Sequence, residues 1–507
     1  MNRRSTIIPI IPAGVVSAVE RPTKVQARST QGRFTRWRTA MLWATQLFFF
    51  GMPWLQWNGR QMVRFDLEAE RFYLGGLVLL PQDLIFLTGL LLLSALLLFF
   101  VTSVAGRVWC GFACPQTVYT SLFMRIERFF EGERHQRLRL DAAPWNADKL
   151  LRRGGKLLAW TLVSLWTGLT FVGWFSPMRE LTHGLLSLSI GPSEGFWALF
   201  YGAACLGNAG FLREKVCHHM CPYGRFQGAL MDADTLIVAY DARRGEPRRG
   251  TAKAAPAQDA AAPGGDCVDC TVCVQVCPVG IDIRNGLQAT CIGCGLCIDA
   301  CDTVMDKLHR PRGLIRLATQ RELGAAPAAA SATADALPHA AAAASQPAVR
   351  PAPWRRWRVQ VYGGLLLLVA GFMAVSLLSR PTVQLDVAHD RGVLARLVDD
   401  GAVENVYRLQ LTNQSEAGQR LELSIEGLDG AKPVTSAPLS LKPLEARTVA
   451  LAVRLPAEQA LALAGRSAPL VFRVTSHAQP HGPADALPDA RQGRSTVAVR
   501  GVFHVPR

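Results

Sequence analysis

The sequence predicts a multi-domain membrane protein, with a five-helix transmembrane bundle, an inserted cysteine-rich α+β module and a C-terminal Ig-like β-sandwich. Three observations predict this fold class. Half of the 507 residues are hydrophobic, and the apolar ones are concentrated in long runs. Eight of the 13 cysteines lie between Cys267 and Cys301. After residue 380, short runs alternate apolar and polar side chains between Gly, Pro, Asn and Asp, as in a small β-sandwich.

Five apolar stretches approach the roughly 20 residues that a helix needs to cross a hydrocarbon layer of about 30 Å. The second, which contains LLLLSALLLFFV, is the most uniform. The fourth is short and is interrupted by Cys205 and Asn208. The predicted spans are Thr39–Trp57, Asp83–Val104, Leu157–Phe175, Gly195–Leu212 and Val359–Leu378.

The charge of the connecting segments predicts the orientation. The formal net charge is +16, and Arg and Lys are frequent in 1–38, 106–156, 213–249 and 310–358 but scarce in 61–82 and 176–194. Basic loops remain in the cytoplasm. The N-terminus and the cysteine-rich module are therefore expected inside and the C-terminal domain outside. Because the basic residues flank apolar runs, this topology explains the charge better than binding to nucleic acid does.

These patterns divide the chain into seven predicted segments. The Ala- and Pro-rich stretch before the last span has few bulky residues, so it is expected to be a linker. The segments are a basic arm (1–38), four spans with a cysteine-containing loop (39–212), a second cysteine segment (213–250), the cysteine-rich module (266–321), the linker (322–356), the fifth span (357–380) and the β-sandwich (381–507).

The cysteine-rich module has the spacing of a bacterial ferredoxin with two [4Fe–4S] clusters. The pattern C-x2-C-x2-C-x3-C occurs twice, followed by Pro278 in the first copy and by Asp302 in the second. In such modules the fourth cysteine of each run binds the other cluster. Cluster one is therefore assigned Cys267, Cys270, Cys273 and Cys301, and cluster two Cys277, Cys291, Cys294 and Cys297. Zinc sites usually use paired cysteines, and disulfides are not expected on the reducing side of the membrane.

A second type of cysteine motif, Cys-x3-Cys-Pro, also occurs twice, as Cys110/Cys114-Pro115 and Cys217/Cys221-Pro222. Proline favours the first position of a helix, so Cys114 and Cys221 are predicted to cap new helices, where a thiolate is favoured. Each motif follows a span that enters the cytoplasm, so the four cysteines are expected at one membrane face. They could bind Cu(I), bind another metal, cycle between dithiol and disulfide, or simply pack. His218 and His219 are weaker metal-ligand candidates.

Together, GRVWCGFACPQTVYTSLFMRIERFFEG, REKVCHHMCPYGRFQGALMD and the module from Asp266 to Lys307 resemble the CcoG/FixG/RdxA family of cytochrome oxidase accessory proteins. The resemblance implies a five-span protein of the bacterial inner membrane with two [4Fe–4S] clusters. It also implies reduction of Cu(II) to Cu(I) for assembly of cbb3-type cytochrome c oxidase, with copper at Cys110, Cys114, Cys217 and Cys221. The expected partners are the lipid bilayer, oxidase assembly factors or a copper chaperone, and an electron donor that the sequence does not identify.

Two other functions fit the same residues. Membrane ferredoxins of the NapH and NosR type share the paired Cys-x3-Cys-Pro arrangement, which indicates an electron-transfer relay between a quinol or soluble donor and a periplasmic reductase. Alternatively, the protein is a scaffold whose sandwich binds an assembly partner while its clusters sense redox state.

Overall fold

The structure is a computed structural model that describes residues 25–248, 265–324, 352–389, 395–398, 401–434, 439–479 and 495–506. Most of the basic arm and of the predicted linker lies outside these ranges. The helices are α1 Arg33–Gly51, α2 Leu84–Ala105, α3 Pro115–Glu131, α4 Arg134–Ala142, α5 Ala147–Val172, α6 Met178–Leu186, α7 Pro192–Cys205, α8 Pro222–Leu230, α9 Ala242–Gly245, α10 Val272–Gln275, α11 Leu296–Lys307, α12 Gln320–Gly324, α13 Trp357–Leu378 and α14 Ala457–Ala462.

The strands are short before the last long helix and longer after it. They are β1 Gln56–Trp57, β2 Arg60–Gln61, β3 Val63–Asp66, β4 Arg71–Leu74, β5 Leu77–Leu79, β6 Ile237–Tyr240, β7 Ile315–Ala318, β8 Val383–His389, β9 Arg396–Leu397, β10 Val403–Asn413, β11 Gly418–Glu426, β12 Lys432–Pro433, β13 Leu439–Leu441, β14 Ala446–Leu455, β15 Ser467–Gln479 and β16 Ser495–His504.

Within the described residues, four helical stretches are long and apolar enough to cross a membrane: Pro81–Ala105, Ala147–Val172, Pro192–Leu212 and Trp357–Leu378. They correspond to the second to fifth predicted spans, including the interrupted fourth. The predicted first span differs from the structure, because α1 begins at Arg33 and ends at Gly51. Arg33, Arg36 and Arg38 lie in its first two turns, and this reduces its apolar character.

The chain forms two compact units, of which the first comprises residues 1–55 and 88–370. Helices α5 and α7 pack closely because Gly168 faces α7: a Cβ there would lie 2.0 Å from the backbone oxygen of Ala198. Helix α3 packs on α5 through Phe123 and Trp160, whose stacked rings are 5.4 Å apart. Gln116, in the first turn of α3, donates to the backbone oxygen of Asn208 at 2.9 Å, which holds the start of α3 and therefore Cys114 beside the segment after α7.

A buried ion-pair network fixes the other end of α3. Glu127 is fully buried, and its Oε2 accepts hydrogen bonds from Arg137 at 3.1 Å and Arg213 at 3.0 Å. Lys156 donates to Glu131 at 2.5 Å. Removing one partner of a buried pair leaves an uncompensated charge, which costs about 3–5 kcal/mol. The network therefore ties α3, α4, α5 and the segment after α7 into one arrangement.

The cysteine-rich module includes a strand from outside its predicted boundaries. Strand β7 pairs antiparallel with β6, whose residues precede the predicted range 266–321. Leu314, Ile315, Val238 and Met305 form its buried core with Cys267 and Cys273. Strand β6 therefore belongs to the folded module, because its Val238 and Tyr240 are part of this buried core.

The second unit comprises residues 56–87 and 371–507. It contains the predicted β-sandwich, with one sheet in the order β12-β14-β10-β8, to which β9 is added on β10, and another in the order β13-β11-β15-β16. Tyr407, Leu409, Phe472 and Phe503 are fully buried in its core. The alternating runs after residue 380 form strands β8, β10, β11, β14, β15 and β16, so this prediction is confirmed.

The stretch between the first two predicted spans also belongs to this unit, which the sequence reasoning did not anticipate. It forms a three-stranded sheet, β3-β4-β5, and the pair β1-β2. Arg60 forms an ion pair with Glu416, and Arg71 donates to the backbone oxygen of Leu444 at 3.0 Å. Arg380 pairs with Asp83 and donates to the backbone oxygen of Val78 at 3.0 Å.

Candidate metal and redox site

The two cysteine loops of the module share an unusual backbone. Asp269 and Thr271 in the first loop have φ of 52° and 54°, and Gly293 and Gly295 at the matching positions of the second have φ of 67° and 72°. Left-handed residues curl a loop, and they are costly for side chains other than glycine. Thr271 and Gly295 also begin helices α10 and α11 as N-caps. Two unrelated sequences thus hold one cysteine-wrapping conformation.

The cysteines line two small cavities. The lining of the first cavity includes Cys267, Cys270, Cys273 and Cys301, with Tyr240 and Met305. The lining of the second cavity includes Cys277, Cys291, Cys294 and Cys297, and Cys273 lines both cavities. The assignment of ligands to each cluster stays a prediction, and these two groupings support it.

The donor set fits [4Fe–4S] clusters, because the lining of each cavity includes four of the eight cysteines at the spacing of a two-cluster ferredoxin. Burial raises the pKa of Cys273 to about 11 and those of Cys277 and Cys301 to about 12. These cysteines must therefore lose protons when iron binds.

The two runs differ in the residue after their last cysteine, which is Pro278 in the first and Asp302 in the second. The adjacent helices explain this difference. Helix α10 ends at Gln275, before Cys277 and Pro278. Helix α11 continues from Leu296 to Lys307 and passes through Asp302, where a proline would remove a helical hydrogen bond. The Asp302 side chain also accepts from the backbone N–H of Gly313 at 2.9 Å. Aspartate thus allows a long helix at this position and removes no cysteine.

The two Cys-x3-Cys-Pro segments fold in the same way. Each forms a wide π-helical turn, Trp109–Ala113 or Val216–Met220. The second cysteine of each closes the turn, since Cys114 donates its N–H to Trp109 at 2.9 Å and Cys221 to Val216 at 2.8 Å. Cys114 and Cys221 are then the N-caps of α3 and α8, with proline as the first helical residue. The predicted helix starts and the internal repeat are confirmed.

The structure brings the four cysteines of these segments together. Burial raises the pKa of Cys110 to about 12, and the neighbouring Cys114, Cys221 and Cys217 contribute to the rise while Arg107 opposes it. Burial likewise raises the pKa of Cys217 to about 11, with contributions from Cys114 and Cys221. Thiols from both segments therefore lie near enough to influence one another electrostatically, and these four cysteines are called the four-cysteine site below, although within the described ranges no three His, Cys, Asp or Glu side chains are grouped to hold one metal ion.

Gln227 connects the two segments and was missed by the sequence reasoning. It is completely buried on α8, and its Oε1 accepts a hydrogen bond from Cys110 Sγ at 3.3 Å. Arg107 makes a further connection, donating to the backbone oxygens of Cys291 at 2.9 Å and Gly224 at 2.8 Å.

The four-cysteine site contacts the module at the predicted cluster-two loop. Cys110 packs on the buried cluster of Val279, Ile292 and Cys294. Gly111 favours this approach, because a Cβ there would lie 3.0 Å from Cys294 Cα and from the Ile292 oxygen, closer than most side chains tolerate. The two motifs differ at the residue after the first cysteine, which is Gly111 in one and His218 in the other. This difference was the feature of the sequence that could have indicated the contact with the module.

The histidines of the second motif occupy a different environment. Burial lowers the pKa of His218, so its imidazole is neutral, and its Nε2 has no hydrogen-bond partner within the described residues. The His219 ring is 6.1 Å from that of His218. Cys205 is the last residue of α7 and packs on the buried residues Phe123, Trp160 and Ala209.

Comparisons with known proteins support iron–sulfur binding by this chain. Models for a 4Fe-4S binding domain, a 4Fe-4S dicluster domain and the Ig-like fold at the C-terminus of FixG match residues 87–132, 212–320 and 373–486. Nitrogen fixation protein FixG of Rhizobium meliloti is 40% identical over 425 residues, 81% of each chain. Protein RdxA of Cereibacter sphaeroides is 38% identical over 423 residues, which is 81% of this chain and 84% of that relative. A crystal structure of a FixG-related protein from Vibrio parahaemolyticus is 16% identical and covers 24% of this chain and 96% of its own, with a TM-score of 0.19.

Proposed function

Because the chain belongs to the CcoG/FixG/RdxA family of iron–sulfur proteins, we propose that it reduces Cu(II) to Cu(I) for assembly of a cbb3-type cytochrome c oxidase. The observation that supports this most directly is the position of the four-cysteine site. It is formed by Cys110, Cys114, Cys217 and Cys221, and Cys110 packs on the buried cluster of Val279, Ile292 and Cys294 in the module. A one-electron carrier and a soft-metal site are thus adjacent.

The [4Fe–4S] clusters supply single electrons when they are bound to the eight cysteines of the module. The four-cysteine site supplies the thiols that receive copper, the substrate. Thiolates bind Cu(I) in preference to harder ions, so binding at this site favours the reduced metal. Cys110 and Cys217 are protonated in the absence of copper because burial raises their pKa values. Copper binding should therefore release protons.

The proposal includes a location and an orientation. The basic segments 106–156 and 213–248 adjoin both cysteine motifs, which supports a cytoplasmic module at the bacterial inner membrane. With five crossings, including α1, the β-sandwich is periplasmic. Oxidase assembly factors or a copper chaperone are the proposed recipients of Cu(I).

A purified-protein experiment tests the reduction step. Anaerobic protein is reduced with dithionite, excess reductant is removed, and cluster absorbance and EPR are followed after Cu(II) is added. We expect rapid reoxidation in the wild type and its loss in Cys110→Ala and Cys217→Ala. Cys205→Ala is the matched control, because this cysteine lies outside both sites. Reoxidation of both site variants at the wild-type rate would refute the assignment.

A cellular experiment tests the link to the oxidase. A strain that lacks the protein should assemble little active cbb3-type oxidase at low copper, and the wild-type gene should restore it. The Cys110→Ala gene should not. Full restoration by a variant that has lost copper reduction in vitro would instead support the scaffold function.

A further inference from the structure

A cavity of about 390 Å³ lies beside the predicted cluster-two loop. It is bounded by the first two turns of α1, the end of α2, the start of β6 and the loop that carries Cys291. All of these elements belong to the first unit. Ligand pockets for small molecules have volumes of about 300–1,000 Å³, so the cavity is large enough for a ring-sized ligand.

The cavity lining is mainly apolar and aromatic. Phe34, Trp37 and Phe112 provide rings, and Met41, Met231 and Leu236 provide flexible apolar surface. Planar ligands pack well against aromatic rings, and methionine adapts to irregular shapes.

The cavity is placed where a bilayer-soluble ligand can enter. Ala105, in its wall, is the last residue of the apolar helix α2. The cavity therefore lies at the end of a predicted membrane span. Trp37 and Val108, also in the wall, are 56% and 39% exposed, so one side is not closed by protein.

Two features distinguish this cavity from a gap filled by a lipid tail. Cys291, a predicted cluster-two ligand, and Gly293 of the same loop form part of its wall. Arg33 is also in the wall, is exposed, and its side chain makes no hydrogen bond or ion pair within the described ranges. A guanidinium is a strong donor to carbonyl oxygens, whereas an acyl chain would use neither feature.

We propose that this cavity binds a membrane quinol, which serves as the electron donor for the proposed copper reduction. The ring would lie between the aromatic side chains, with an oxygen accepting from Arg33 and the tail leaving toward the lipid. Oxidation of one quinol to a quinone releases two electrons and two protons. Two [4Fe–4S] clusters accept one electron each, and the protons leave to water at the open side.

Quinone binding is measured first, independently of turnover. Purified full-length protein is photolabelled with an azido-ubiquinone and the labelled peptides are identified by mass spectrometry. We expect label in α1 or near Met231. Met231→Trp, which fills the cavity, and Arg33→Gln, which replaces the charged donor by a shorter neutral one, should each weaken decylubiquinone binding by about tenfold or more, as expected for loss of a charged hydrogen bond or of the space for the ring. Leu91→Trp, on the exposed side of α2, is the control and should bind normally.

Electron transfer is measured second. Decylubiquinol should reduce the clusters of the wild type and of Leu91→Trp, and should do so at least about tenfold more slowly in Met231→Trp and Arg33→Gln. After dithionite reduction all four proteins should be reoxidised by Cu(II) equally fast. Failure of that last step in the wild type contradicts the copper function, not the quinol site. Normal quinone binding in both cavity variants, or labelling elsewhere, would overturn the quinol site.

Discussion

The two Cys-x3-Cys-Pro segments have the same backbone but different neighbours. In the first, Cys110 packs on the cluster-two loop and donates a hydrogen bond to the buried Gln227. In the second, His218 replaces Gly111, and Met220 is 60% exposed. The repeat therefore determines the shape of each segment, and the residue after its first cysteine determines which copy can contact the iron–sulfur module.

The largest expected effect comes from giving the first segment a side chain at Gly111. In Gly111→Val, atoms beyond Cβ would have to displace the backbone at Cys294 and Ile292, since a Cβ alone already lies 3.0 Å from each. Overpacking of this kind costs about 1–3 kcal/mol. We expect a lower thermal midpoint and slower reoxidation of reduced clusters by Cu(II).

The matched control is His218→Val at the corresponding position of the second segment. It should leave the midpoint and the reoxidation rate nearly unchanged, because this position already holds a large side chain. If the two variants behave alike, Gly111 has no special role in contacting the module.

The second largest effect is expected at Gln227, which accepts a hydrogen bond from Cys110 of the first segment. Gln227→Met keeps the approximate volume but removes the acceptor for Cys110, and an unmade buried hydrogen bond costs about 1–3 kcal/mol. We expect a lower thermal midpoint and faster alkylation of Cys110, measured by peptide mass spectrometry. Unchanged alkylation would show that the hydrogen bond does not hold this thiol.

The pH dependence of alkylation distinguishes the two first cysteines. In copper-free protein the pKa of Cys110 is raised to about 12 and that of Cys217 to about 11, both by burial. One pKa unit is a tenfold difference in thiolate, the reactive form, so iodoacetamide should modify Cys217 about tenfold faster near pH 8.

Raised thiol pKa values also affect stability. The contribution of these buried thiols to the free energy of unfolding is fully present below pH 9, the ordinary pKa of a thiol. It is lost as the pH rises toward about 12, because the thiols of the unfolded chain ionise first. Melting experiments between pH 8 and about 11 should show this decline.

In the alkylation experiment, faster modification of Cys110 than of Cys217 would contradict the environments assigned to these two cysteines.

The smallest effect is expected at His218. Its Nε2 is buried and has no hydrogen-bond partner in the described part of the chain, so His218→Ala should change stability by no more than about 1 kcal/mol. Copper reduction by this variant should remain within about threefold of the wild type, less than 1 kcal/mol. A loss of tenfold or more would make His218 a copper ligand.

Local sequence signals predicted much of this structure. Proline after Cys114 and Cys221 predicted both helix starts, and alternation predicted the sandwich strands. Contacts between distant residues were not predictable: neither Gly111 against Cys294 nor Glu127 with Arg137 and Arg213 has a short-range pattern. The charge of α1 obscured its boundary, since Arg33 and Arg36 extend the helix beyond its apolar part.

The folding of residues 56–87 with the C-terminal sandwich restricts how the chain is threaded through a bilayer. If the long apolar helices cross a membrane, ion-paired residues of one folded unit lie on the same side of it, so Arg60 would share a compartment with Glu416, and Asp83 with Arg380. The intervening chain must then cross an even number of times. The four long apolar helices of the described residues all lie in this part of the chain, which gives an even number of crossings. Without the short helix at Pro192–Leu212 there would be three crossings, an odd number. Helix α1 precedes the interval, and its path decides only the compartment of the N-terminus.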